Sequence, residues 1–225
     1  ELSVGNTIED LRGRALDTSF AATYFPDTII TDPTTQTNVR VPPSVNVLGA
    51  MSLNDSVAYP WFAPAGFTRG ALTDVFDAAL NFNRANLDAL YETDINPITQ
   101  FPGQSEHVIF GQKTLQAAAS SLDRVNVRRL LIDVRRKVRR IADTFIFEPN
   151  RADTLARFSA AVNPILAQVQ AQQGVERYRV IIDTTTTTQA DIENNTVRGK
   201  IFMQPTRSVE FIALDFVVTN NGTEI

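Results

Sequence analysis

The chain has 225 residues, 43% of them hydrophobic and 20% charged, with a formal charge of −4. That length can bury a substantial core, and the composition excludes general disorder. The acidic sum argues against a dedicated nucleic-acid binder, the lack of cysteine removes disulfide and thiolate chemistry, and no apolar run approaches a bilayer-spanning length.

The first residue is Glu1 and no signal-peptide pattern opens the chain, so we expect a processed or truncated protein with sequence missing before it. Residues 1–21 read as a polar segment with some helical character. "ATYFPDTIITD" (22–32) reads as a strand with an irregular start at Pro26, followed by a turn-rich "PTTQTN". In "VPPSVNVLGAMSLND" (41–55), prolines at the start and apolar spacing behind them predict a helix. "YPWFAPAGFTRG" (59–70) mixes aromatics, prolines and glycines too densely for a regular element and predicts a loop pinned by its rings, Trp61 included.

"NRANLDALYETD" (83–94) has helical periodicity, and "INPITQFPG" with "HVIFGQKTL" reads as a strand pair around a glycine-containing turn. A basic helix is expected at about 122–145. A second helix follows at about 151–172, capped by Asn150 and kinked or divided at Pro164. Strands at 177–183, 197–205 and 208–218 close the chain, the first two separated by the polar "TTTTTQADIENNT". No internal repeat is visible. The pattern predicts an α+β fold in which a small mixed sheet packs against helices, one of them long and basic, behind an α/β portion. We place the division between residues 1–110 and 111–225.

Catalytic chemistry finds little support. His107 is the single histidine and has no nucleophile-elbow pattern near it. With one His and no Cys, a zinc site would rest almost wholly on carboxylates. The glycines form neither a dinucleotide fingerprint nor a P-loop, and the dispersed acidic residues offer no defensible acid and base. "NDS" (54–56), "NNT" (194–196) and "NGT" (221–223) match glycosylation acceptors without a secretory signal beside them. No catalytic, cofactor-binding or metal-binding residue is assigned, no cofactor is expected, and the chain does not read as an enzyme.

The basic helix is the anomaly. At about 100° per residue, Val127, Leu130, Leu131, Val134, Val138, Ile141 and Phe145 share a core-facing arc. Arg124, Arg128, Arg135 and Arg139 form a stripe beside it, with Arg129, Arg136 and Arg140 further round. Residues 122–145 hold eight basic and three acidic side chains, a charge of +5 that leaves the rest of the chain at −9. A solvated surface face is the plain alternative, but like-charged pairs at 124/128, 135/139 and 136/140 repel each other on such a face. Arginine in place of lysine also favours a contact surface, because the guanidinium fork grips carboxylates. Membrane binding conflicts with a core-facing apolar stripe, and DNA binding conflicts with the acidic chain. An acidic protein partner fits best.

"VNVRRLL" (125–131), "FEPN" (147–150), "VPPS" (41–44), "APAG" (63–66) and "RSVEFIALDF" (207–216) together resemble, in order and spacing, the C-terminal half of contractile tail sheath proteins. These belong to bacteriophages and related contractile injection machines. The resemblance implies a structural subunit that polymerises as stacked hexameric rings around a tail tube and contracts to drive the tube through a target envelope. It implies other copies of itself, the tail tube protein, and baseplate and tail terminator proteins as partners, with no nucleic acid and no direct membrane insertion. It also implies a place in the virion tail sheath, after assembly in the host cytoplasm. A tail-tube or baseplate component, or a nucleic-acid binder using the arginine helix, stands as the alternative.

On this resemblance the basic helix faces the tube. From the wheel, Arg124, Arg128, Arg135 and Arg139 are the first candidates for contact, and Arg136 and Arg140 the second. The family also links subunits by terminal arms that add strands to a neighbour's sheet. Phe211, Ile212, Ala213, Leu214, Asp215, Phe216, Val217 and Val218 match such an arm. If an N-terminal arm is missing, the fragment is expected to stay monomeric or assemble poorly.

Overall fold

The computed structural model describes residues 3–210. Helix α1 (Val4–Gly13) opens on Ser3, whose hydroxyl accepts from the Asn6 N–H at 3.2 Å. Strands β1 (Thr23–Phe25), β2 (Thr28–Thr31) and β3 (Asn38–Val41) follow, then helix α2 (Pro43–Val57) with proline in its first turn. The short helix α3 (Gly66–Arg69), strands β4 (Ala71–Leu72) and β5 (Val75–Ala78), and helix α4 (Arg84–Glu92) lead to strands β6 (Ile95–Gln100) and β7 (His107–Ile109). A 3-10 turn at Ser121–Asp123 precedes helix α5 (Val125–Thr144). Helix α6 (Ala152–Ala171), strand β8 (Val175–Ile181), helix α7 (Gln189–Glu193) and strand β9 (Lys200–Pro205) complete the described chain.

Among the described residues, helices and three small sheets make this an α+β fold. One sheet has the order β1-β6-β7-β4, with β1 parallel to β6 and the other pairs antiparallel. A second is β3-β2-β5, antiparallel throughout, and the third is the β8–β9 hairpin alone. The single strand expected at 22–32 is therefore two strands in two sheets. Pro26 cannot donate to a ladder, and the chain changes sheets beside it.

Other expectations shift in instructive ways. β3, β4 and β5 were not anticipated, because two to four residues are too few to show a periodicity. Pro164 lies inside a continuous α6. The Asn163 side-chain amide donates to the Ser159 carbonyl at 3.0 Å in the turn where proline supplies no N–H. Asn150 does not cap α6: the N-cap is Arg151, and Asn150 donates instead to the Thr196 carbonyl at 3.1 Å, tying the α5–α6 turn to the loop before β9. Within the threonine-rich loop, α7 is held by a capping box between Thr188 and Asp191. Residues 206–210 are not strand, and the remainder of the strand expected at 208–218 lies outside the described residues.

Three apolar clusters hold the described residues together. α1 and α4 close over Phe25, Leu90 and Ile95, while α2 packs through Val47 and Ala50 on Leu72, Val75, Ile98 and Ile109. The third cluster joins α5, α6 and the hairpin through Leu130, Val134, Leu155, Val162, Leu166 and Val175, with Trp61 inserted from the first half of the chain. The stretch 59–70 is not loop throughout, since Gly66–Arg69 form the single-turn helix α3, but the Trp61 indole N–H donates to the Gln172 carbonyl at 2.9 Å and pins the segment by its ring as expected. Gly174 makes room for it: a Cβ there would lie 2.7 Å from Val169 Cγ1 and 3.1 Å from the indole.

Candidate functional site

Helix α5 rises from a buried base. Val127, Leu130 and Val134 face the core, as their spacing dictates. The opposite face divides into two halves of different character.

In the first half the arginines are held within the chain. Arg124 grips Glu210 with both arms of its guanidinium, Nε to Oε1 at 2.7 Å and Nη2 to Oε2 at 3.0 Å. Arg128 lies 4.0 Å above the Phe20 ring and donates to the Ser19 hydroxyl. Arg129 reaches both Asp55 oxygens, at 2.6 and 2.5 Å. These contacts tie α5 to residues 19–20, to α2 and to the segment after β9. None of these partners was legible from spacing, since each is remote in sequence.

In the second half Asp133, buried at 5% exposure, accepts a hydrogen bond from Arg136 at 3.2 Å and forms an ion pair with Lys137 at 2.7 Å. These i,i+4 and i,i+3 spacings are readable in the sequence. The solvent face beyond consists of Ile132, Arg135, Arg136, Arg139, Arg140 and Asp143, all exposed. Arg135, Arg139 and Arg140 make no ion pair among the described residues. Here Arg135, Arg139 and Arg140 present positive charge to solvent, while Arg136 is shared with Asp133.

Beside this face runs a groove of about 620 Å³ between α5 and β9. Leu131, Val134, Val138, Ile201 and Met203 form its floor, and Arg128, Arg135 and Arg139 stand along its rim. Both outer edges of the β8–β9 hairpin lack a strand partner among the described residues. Phe211 to Val218, the candidate inter-subunit strand, lie outside the described residues.

His107 sits in β7 with Nε2 3.8 Å from Asp77, and burial holds its pKa below the ordinary 6.5 while Asp77 pulls the other way. Among the described residues no cluster of acidic and histidine side chains could hold a metal ion, and no helix is long and apolar enough to cross a membrane.

The resemblance to tail sheath proteins is supported by comparison with known families: residues 117–219 match the phage tail sheath C-terminal domain. These residues belong to the phage tail sheath C-terminal domain family. The tail sheath protein of Vibrio phage KVP40 is 35% identical over 187 residues, 83% of this chain and 28% of that protein. The tail sheath protein of Enterobacteria phage T4 is 34% identical over the same shares. The chain thus spans less than a third of the length of these curated relatives. Among solved structures, the sheath complex of an extracellular contractile injection system in its contracted state is 28% identical, with a TM-score of 0.83 over 96% of this chain and 61% of that one. The family match contains all of α5, α6 and the β8–β9 hairpin, and it extends through residues 211–218 to end at residue 219.

Proposed function

We propose that this chain is part of a non-enzymatic structural subunit of a contractile tail sheath. The full protein polymerises as stacked hexameric rings around a tail tube and contracts to drive the tube through a target envelope. The observation that carries this reading is the exposed basic face of α5, where Arg135, Arg139 and Arg140 make no ion pair among the described residues, set within a sheath domain of an otherwise acidic chain. Arg135, Arg139, Arg136 and Arg140 touch acidic residues of the tube. For Arg124 and Arg128 to reach the tube as well, Glu210 and Phe20 must first let go. Exposed ion pairs contribute about 0–1 kcal/mol each, so such a grip holds by number and releases when the sheath rearranges.

The segment 211–218 joins one copy to the next by adding a strand to a neighbour's β8–β9 edge, which offers unpaired N–H and C=O groups. The division at residue 110 then separates an outer portion from the sheath domain. Baseplate and tail terminator proteins contact the ends of the assembly, which forms in the host cytoplasm and resides in the virion tail. Electron microscopy of the full-length protein tests this: wide hollow tubes support a sheath, whereas salt-sensitive DNA binding confined to 122–145 would move the arginines to nucleic acid.

A further inference from the structure

The turn that follows α5 is built with care and then exposes an aromatic ring. Phe145 packs against Phe158, with ring centres 5.1 Å apart. Glu148 closes the turn from the other side, its N–H on the Phe145 carbonyl at 3.2 Å and its carboxylate on Arg157 at 2.7 Å. Between these two anchors Ile146 is 58% exposed and Phe147 fully so, at 101%. Phe147 also has a φ of 73°, the left-handed region that glycine or asparagine enters readily and an aromatic residue avoids for steric reasons. Glycine would serve the turn better and water would tolerate it better, so the fold supplies no reason for phenylalanine.

Location suggests the reason. Phe147 stands at the end of the helix whose last turns carry Arg135, Arg136, Arg139 and Arg140, with Arg140 only about 6 Å along the axis from Thr144. Protein interfaces concentrate their energy in a few rigid aromatic anchors at a desolvated centre, surrounded by a charged rim that excludes water. The pinned turn leaves the backbone beneath the ring little freedom to lose on docking. Asp143, also exposed on this face, narrows the acceptable partner to one whose carboxylates meet the arginines and avoid that position.

We infer that Phe147, with Ile146 beside it, is the apolar anchor of the same docking surface as the exposed arginines, and that it enters an apolar socket ringed by carboxylates on the tail tube. This rests on the tube-contact reading above and adds a residue to it.

The test uses the full-length sheath protein and tubes assembled from its cognate tail tube protein. Phe147→Gly relieves the backbone and removes the anchor. It should leave the thermal midpoint unchanged or raise it, while tube affinity falls about tenfold or more and assembly of sheath copies without tube stays normal. Phe147→Leu should retain most of the affinity. Wild-type affinity in Phe147→Gly overturns the anchor, as does a lowered thermal midpoint, which would make the ring structural. A defect in sheath assembly without tube would assign the ring to a second copy instead and equally overturn the proposal. If reversing the four arginines leaves tube affinity intact, the underlying reading fails. If that reversal abolishes binding and Phe147→Gly does not, the anchor alone fails.

Discussion

At the scale of single residues, buried polar groups do work that no pattern announces. Asn96 is 1% exposed and joins three strands' worth of chain: its amide donates to the Thr23 and Lys113 carbonyls at 3.0 and 2.8 Å, and its carbonyl accepts from the Lys113 N–H at 2.6 Å. Asn96→Ala strands those groups without water, and should destabilise the fold by about 1–3 kcal/mol in a denaturant titration. His107 gives a pH prediction of definite sign. Its folded pKa lies below 6.5, so the unfolded chain takes up the proton first as pH falls. The stability it contributes is full above 6.5 and is lost as pH drops through the folded value. An imidazole chemical-shift titration should find a midpoint below 6.5, and the thermal midpoint of wild type should fall more steeply with acid than that of His107→Gln. In the sequence, His107 was an ordinary strand histidine and Asn96 one polar residue among many, since their partners are fixed by tertiary folding.

At the scale of elements, long periodic segments were legible and short ones were not. α2, α4, α5, α6 and the β8–β9 pair follow from apolar spacing, within a few residues at their ends. β3, β4 and β5 draw their existence from neighbours across a sheet rather than from their own two to four residues. Asn150 shows the limit of local rules: a good capping residue at the right place serves a tertiary contact to Thr196 instead. The coupling of Trp61 to the α6–β8 turn has the same non-local origin, with a loop 111 residues away in sequence supplying the ring. Gly174→Ala would press a methyl group against Val169 and the indole, and should cost about 1–3 kcal/mol, read from chemical denaturation together with a shift in Trp61 fluorescence.

At the scale of the whole molecule, charge segregation was visible in the sequence, but its distribution along α5 was not. A helical wheel ranks Arg124 and Arg128 with Arg135 and Arg139, because it knows angle and nothing of what the chain lays over each turn. Folding brings Glu210, Phe20 with Ser19, and Asp55 onto the first turns, which leaves the basic surface to the last ones. Reversing Arg124 or Arg128 should therefore act first on stability, whereas the distal arginines should act on binding. Exposed charge also implies that tube binding weakens as salt rises from low to physiological strength. The most direct test of the central claim is co-sedimentation of full-length sheath protein carrying Arg135→Glu, Arg136→Glu, Arg139→Glu and Arg140→Glu with its cognate tail tubes, alongside its thermal midpoint. The account predicts an unfolding midpoint close to wild type with tube binding lost. Tube binding at wild-type affinity would contradict it.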